Sequence, residues 1–260
     1  MRMPSRWSED EPLSRELVIL HTSDVHVDHN YTARQHEGDG AGPLRIVLDV
    51  ARQVKADMVL LVGDTFDSHK TPLDLTQRVG DLIRAIEVPV VLLPGNHDPV
   101  VDDALWHKSA LRDVPNLHVI GVDHPELVTF EQFDLDVWGR AHAHYGDMDP
   151  LASLPQRKAR WHIALAHGHY EPQPDRSVKP RASWLLGDDE IDATGADYLA
   201  LGHWNRHAEV GRGKVPAFYS GSPDYARSVN LLRIGPQGLR VERHAIDWPY
   251  EEKNSGEVYD

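Results

Sequence analysis

Five short polar turns gather oxygen and nitrogen donors: Asp24-Val25-His26, Gly63-Asp64-Thr65-Phe66-Asp67, Gly95-Asn96-His97-Asp98, His167-Gly168 and Gly202-His203-Trp204-Asn205. Carboxylate, amide oxygen and neutral imidazole suit Mn, Fe, Zn and related divalent ions that keep open coordination positions. A carboxylate can also bridge two ions. Asp64, introduced by a glycine that lets backbone come close, is the best candidate for that role. Two ions roughly 3.5–4 Å apart clamp both the attacking and the leaving oxygen of an in-line phosphoryl displacement, and they deprotonate a bound water.

Each turn sits at the end of an apolar run, and these runs are the elements that must position it. They are Leu17–Leu20, Met58–Val62, Val90–Leu93, Ile163–Ala166 and Tyr198–Leu201. Ligands just past the carboxyl ends of buried strands build a site at one edge of a sheet. Leu44 to Lys55 carries apolar residues at Leu44, Val47, Leu48 and Ala51, a helical spacing, and Pro72 to Ile86 does the same with Leu75, Val79, Leu82 and Ile86. Strand–helix alternation of this kind predicts a layered α/β domain. After residue 110 the runs shorten. Leu117–Ile120, Leu127–Phe130 and Phe133–Val137 predict an antiparallel or mixed second sheet. Val229–Ile234 and Leu239–Ile246 read as closing strands around the turn Gly235-Pro236-Gln237-Gly238. The organisation expected is a loose lead (1–16), a single domain (17–248) and a polar tail (249–260). Surface loops are expected at Asn30–Pro43 and Glu171–Lys179.

With 260 residues, 40% of them hydrophobic and 26% charged, the chain is long enough for a core and too apolar to be disordered. The absence of cysteine excludes disulfides and thiolate metal sites. Forty-one acidic against 27 basic residues give a net charge of -14, which argues against avid DNA binding through clustered Lys and Arg. Several of these acids belong to the ligand set, where two divalent cations would reverse the local charge. The polar N-terminus lacks a signal-peptide core, and no run approaches the ~20 apolar residues of a membrane helix. The expectation is a soluble, cytoplasmic protein with no membrane contact.

In their order and spacing the five turns resemble the calcineurin-like metallophosphoesterase superfamily, whose pattern is DxH, GDxxD, GNH(D/E), H and GHxH. The resemblance covers about residues 17 to 234. It implies a four-layer α/β/β/α sandwich of two mixed β-sheets flanked by helices. It also implies two divalent metal ions, with Mn preferred over Fe, Zn, Ni or Co. By the same resemblance Asp24, His26 and Asp64 hold the first ion, and Asp64, Asn96, His167 and His203 hold the second. His97 then contacts the phosphate and protonates the leaving group, oriented by Asp67. The sequence departs from the pattern once, because GHxH reads Gly202-His203-Trp204-Asn205. Asn205 is the preferred replacement ligand at the first ion, with His207 as the other candidate.

Tyr219-Ser220-Gly221-Ser222-Pro223, with Gly63 to Ser68, resembles the SbcD-type DNA repair nucleases. That branch carries a C-terminal capping region and an attachment segment for an ATPase partner, and neither is evident after the last strands here. A two-metal phosphodiesterase is therefore expected, with DNA ends or single strands as the first substrate class. Small or cyclic-nucleotide diesters come second, and a homodimer is compatible with either. A phosphomonoesterase ranks third, because the phosphatases of the family tend to carry arginine where Ser68 stands. A non-catalytic metal scaffold has only Asn205 in its favour.

Blander readings stand beside these. Asp67 is also a candidate cap for the following helix. His169 competes with His167. His21, His29, His36 and His69 read as loop or supporting residues, and His142 and His144 as surface. Trp204 reads as wall packing or as a base-stacking ring, and Arg206 and Arg227 as surface arginines or phosphate contacts.

Overall fold

The computed structural model describes residues 16–108, 110–152, 154–177 and 183–250. The lead expected at 1–16, apart from Glu16, the tail beyond 250 and the end of the Glu171–Lys179 loop lie outside these.

In chain order the strands are β1 (Leu17–Thr22), β2 (Met58–Val62), β3 (Val90–Leu93), β4 (Leu117–Val119), β5 (Leu127–Phe130), β6 (Leu135–Gly139), β7 (Trp161–His167), β8 (His169–Tyr170), β9 (Leu185–Leu186), β10 (Tyr198–Gly202), β11 (Ala208–Val210), β12 (Ala217–Tyr219), β13 (Ser228–Gly235) and β14 (Gly238–Ala245). The helices are α1 (Tyr31–Gln35), α2 (Gly42–Gln53), α3 (Leu73–Arg84), α4 (Leu105–Lys108), α5 (Asp188–Ala193) and α6 (Pro223–Ala226). Six strands in the order β14-β13-β1-β2-β3-β4 form one sheet, and β11-β12-β10-β7-β6-β5 form the other. Each sheet has a parallel centre, β1 to β4 in one and β12-β10-β7-β6 in the other. Antiparallel strands flank both centres.

The continuous apolar runs follow from burial on both faces. In β2, Met58, Leu60 and Val62 point between the sheets, where they meet Ile163, Leu165, Tyr198 and Ala200. Val59 and Leu61 point the other way, onto Leu44, Val47 and Leu48 of α2 and Leu75, Val79 and Ile83 of α3. Pro43 at the start of α2 fits a helix N-terminus, where its missing N–H costs nothing. On the far side of the second sheet, Ala164, Ala166, Leu199 and Leu201 pack with Trp138 and with Ile191 of α5. The expected α/β/β/α sandwich is the fold found.

One sequence expectation about strand placement is corrected. Leu117–Ile120 does not open the second sheet: its β4 lies parallel to β3, with Leu117 opposite Val90. The closing strands return to the first sheet, β13 running antiparallel to β1 with Ile19 opposite Leu232. Three or four alternating residues state a strand but not its neighbour, which the crossover connections decide.

Candidate metal centre

The carboxyl ends of β1, β2 and β3 in one sheet and of β7 and β10 in the other lie at one end of the sandwich, level in register. Thr22 pairs with Leu61 and Val62 with Leu93; across the other sheet Gly202 pairs with His167. The turns beyond β1 and β2 then bond to each other: Asp24 N donates to Gly63 O (3.1 Å), His26 N to Asp64 O (3.0 Å) and Val27 N to Thr65 O (2.9 Å). This tight crossing puts Asp24, His26 and Asp64 into left-handed backbone, at φ 53°, 49° and 50°. Strain of this kind at non-glycine residues persists only where the surroundings over-determine it, and it clusters at functional sites.

Asp24, His26 and Asp64 have donor atoms within 4.8 Å of one another, and so do Asp64, His167 and His203. Asp64 is common to both groups. Asn96 joins the second group, its Oδ1 3.0 Å from His167 Nε2, which is also 3.1 Å from Asp64 Oδ2. A third group holds His26, Asp67 and His97. Asp67 Oδ1 lies 3.3 Å from His26 Nδ1 and 3.7 Å from His97 Nδ1, and the Asp67 carbonyl is 3.2 Å from that same His97 nitrogen. Asp67 does not cap the helix that follows it, since the N-cap of α3 is Pro72.

The electrostatics of this cluster fit divalent ions. Asp24 and Asp64 are both buried. Burial pushes the Asp24 carboxyl up. Asp64 is held below the usual carboxylate range because the charge and hydrogen bond of His167, together with the neighbouring imidazoles, outweigh its burial. Buried carboxylates this close repel one another unless positive charge lies between them. Without a metal that charge falls to imidazoles. Burial opposes the imidazolium, but Asp64 raises His167 to about 9, and Asp67, Asp64 and Asp24 raise His26 to about 9. His167 Nδ1 donates to the Val62 carbonyl at 3.1 Å, which leaves Nε2 facing two oxygens that cannot donate to it when Asp64 is ionised. A divalent ion would replace the proton on Nε2, and the bond to Val62 would fix the tautomer. His203 is kept neutral, with its pKa lowered to about 3 by burial and by His167. Its backbone N donates to Asp24 Oδ2 (2.9 Å), tying the β10 turn to the β1 turn.

Close packing of these turns requires glycine. A Cβ on Gly63 would stand 1.8 Å from His167 Nδ1, and one on Gly95 would stand 2.2 Å from Asp64 Oδ1.

The remaining sequence candidates separate clearly. Asn205 lies exposed on the turn after His203, and its side chain makes no hydrogen bond to the clustered residues. His207 stands apart, its ring 6.1 Å from Phe218 and near Arg243 and Glu209. His169 is exposed and accepts from Trp204 Nε1 (3.1 Å), while Trp204 stacks on Tyr219 at 4.4 Å. The SbcD-like segment braces these turns: Tyr219 OH donates to Gly168 O (2.7 Å), and Ser220 Oγ meets Ser23 Oγ (3.1 Å). Arg206 bonds Tyr225 OH at 2.9 Å, and Arg227 stacks over Trp248.

Three sequence readings need correction or addition. His142 is not at the surface. It is fully buried behind the site, donating from Nε2 to the His167 carbonyl at 2.8 Å. His21 is not a loop residue but a buried member of β1, 3.0 Å from Tyr198 OH. Asp98 was given no role by sequence, yet its carboxylate accepts from Phe66 N (3.0 Å) and Gly95 N (2.7 Å), clipping the β2 and β3 turns together. Burial and the neighbouring Asp64 push this carboxyl up to about 7. The only sequence signal for Asp98 was its place in a ligand-bearing turn. An isolated His142 between two alanines gave none. Beside Asn96 and His97 opens a cavity of about 340 Å³, lined also by Asp67, Ser68, His69, Tyr145 and Trp184.

Comparison with known proteins places this arrangement. The family model described as calcineurin-like phosphoesterase matches residues 17–206. The SbcD subunit of the SbcCD nuclease of Bacillus subtilis is 24% identical over 262 residues, covering 84% of this chain and 66% of its own length. The DNA double-strand break repair protein Mre11 of Aeropyrum pernix is 33% identical over 205 residues, covering 71% of this chain and 48% of its own. The chain thus spans about half to two thirds of the length of these relatives. Among solved structures, a putative 5'-nucleotidase from Staphylococcus aureus shares the fold at TM-score 0.61 and 15% identity, covering 91% of this chain and 56% of its own.

Proposed function

The chain belongs to the calcineurin-like phosphoesterase family, and on that premise we propose that it is a two-metal phosphodiesterase, carried by residues 17–248 as one domain. The observation that carries this reading is the pair of ligand groups sharing Asp64, with His97 at their edge. We take Asp24, His26, Asp64 and Asn205 as the first ion's ligands and Asp64, Asn96, His167 and His203 as the second's. Oxygen and imidazole donors suit Mn(II). Two such ions, when bound, supply positive charge to the phosphoryl oxygens and acidify water.

The residues themselves do the rest. Asp64 holds the His97 turn in place by accepting from His97 N at 2.9 Å. With Nδ1 of His97 turned to the Asp67 carbonyl and carboxylate, Nε2 is the nitrogen left to serve the substrate. In hydrolysis a water oxygen bonds to phosphorus, the bond to the leaving oxygen breaks, that oxygen takes a proton from His97, and the proton the attacking water gives up is returned to His97 through solvent. The products are a monoester and an alcohol. Asp67 positions His97 for that proton transfer.

The nuclease relatives support DNA ends or single strands as substrate. The net charge of -14 favours the second reading, a small diester. Assays with Mn(II) against bis-p-nitrophenyl phosphate, p-nitrophenyl phosphate, single- and double-stranded DNA and cyclic nucleotides test both, with His97→Ala as control. Diester turnover that His97→Ala lowers by about 10²–10⁴-fold is expected. Turnover confined to monoesters, or none with any divalent ion, would overturn the reading. DNA cleavage that falls steeply with salt would favour the nuclease, because backbone contacts release counterions.

A further inference from the structure

The cavity beside His97 has a chemistry that the hydrolytic step leaves unused. Among the described residues no lysine or arginine lines it, so none of them offers a fixed positive charge to a second phosphate. What it offers is rings. Tyr145 stays 54% exposed, with its hydroxyl bonded to His69. His69 is itself fixed: its backbone N donates to His97 O (3.0 Å), and its carbonyl accepts from Leu105 N (2.8 Å). The Tyr145 ring is therefore held at a set place relative to His97. Trp184, also in the lining, is fastened by its N to Asp147 Oδ1 (3.0 Å) and by its Nε1 to Gly146 O (3.1 Å). It keeps a left-handed φ of 47°, a conformation that bulky side chains adopt only under constraint. The volume, about 340 Å³, is at the small end of the range that holds organic ligands.

We propose that this cleft is a nucleobase subsite, in which the base of the nucleoside next to the scissile phosphate lies against Tyr145. The proposal rests on the phosphodiesterase reading and narrows it: the substrates are nucleotide diesters and nucleic-acid ends whose terminal base is unstacked. An aromatic face suits any base, because every base has a π-face. The described lining, without a lysine or arginine, fits a subsite that grips the base and leaves the phosphate to the metal centre.

The test compares thymidylyl-(3′→5′)-thymidine with its two singly abasic counterparts, using the full chain with Mn(II). Wild type should hydrolyse the fully based dimer with kcat/KM about ten-fold above one abasic isomer, in line with base–aromatic stacking. Tyr145→Leu should bring that ratio near one by raising KM for the based dimer and for the isomer that keeps the stacked base, while leaving the isomer without that base unchanged. Tyr145→Phe, which loses the hydroxyl bond but keeps the ring and its edge-on packing against His69, should retain part of the preference. Tyr145 is exposed, so neither change threatens the fold. Equal efficiency on all three dimers, or a ratio untouched by Tyr145→Leu, overturns the subsite while the phosphodiesterase reading stands. No turnover of any dimer together with none of bis-p-nitrophenyl phosphate overturns both.

Discussion

Asn205 is the residue on which the centre departs from its family pattern. Its amide oxygen is a weaker donor than the imidazole that the pattern expects there, and the other sequence candidate, His207, sits against Phe218 instead. Occupancy of the first position should therefore be the weaker of the two. Asn205→His should tighten it by an order of magnitude or so, the scale on which changes around metal sites act. Calorimetric titration with Mn(II) reads this directly, and superimposable curves for the two proteins would exclude a role for position 205. Asp64 and Asp98 show how differently neighbouring acids serve. One lies between two ligand groups; the other bonds only backbone amides and joins the loops that carry those groups.

At the level of elements, the strands act as rulers and the turns as clamps. Gly63 ends β2 where the His167 ring must pass, with φ 82° and no room for a Cβ. Gly63→Ala should displace His167 and remove the stronger Mn(II) site, leaving a calorimetric isotherm that lacks its high-affinity phase. An unchanged isotherm would contradict the packing described. Within β1, His21 contributes to stability through pH. Burial lowers its folded pKa to about 3, against 6.5 in a free chain. Below pH 6.5 the unfolded chain therefore takes up a proton that the folded chain refuses. Stability falls by up to ~1.4 kcal/mol per pH unit as pH drops from 6.5 towards 3, and it is fully present above 6.5. Urea unfolding at pH 7 and pH 5.5 measures this. Replacing His21 by glutamine should flatten the difference by about 1 kcal/mol even if it lowers stability at both. An equal pH dependence in the two proteins would place the titrating group elsewhere.

Across the whole molecule, the two sheets pack face to face over Leu60, Val62, Ile163 and Leu165, and the proposed metal ligands come from the ends of both. Metal should therefore hold the sandwich together as well as serve the reaction. At a Mn(II) concentration of about a hundred times Kd, binding should add ~2.7 kcal/mol to unfolding free energy. Chelation should lower Tm accordingly, and His97→Ala, which keeps the ligands, should preserve the metal-dependent increment. A Tm indifferent to chelator would mean that the two sheets do not share an ion. The described residues contain no helix long and apolar enough to cross a membrane.

Much of this was legible in the chain. Strands β1, β2 and β3 stand where runs such as Met58–Val62 placed them, because a strand covered on both faces must be apolar throughout. The identity of the donors was legible too, since carboxylate, amide and imidazole chemistry belongs to the side chains whatever their neighbours. The sequence could not say that His167 turns its Nδ1 to Val62, 105 residues away. Nor could it bury His142, assign β4 to the first sheet or bring Tyr145 across to His69. These depend on contacts between residues remote in sequence, which no local pattern encodes. The turns declare what can be bound, and the packing of two sheets decides how the donors meet and what stands beside them.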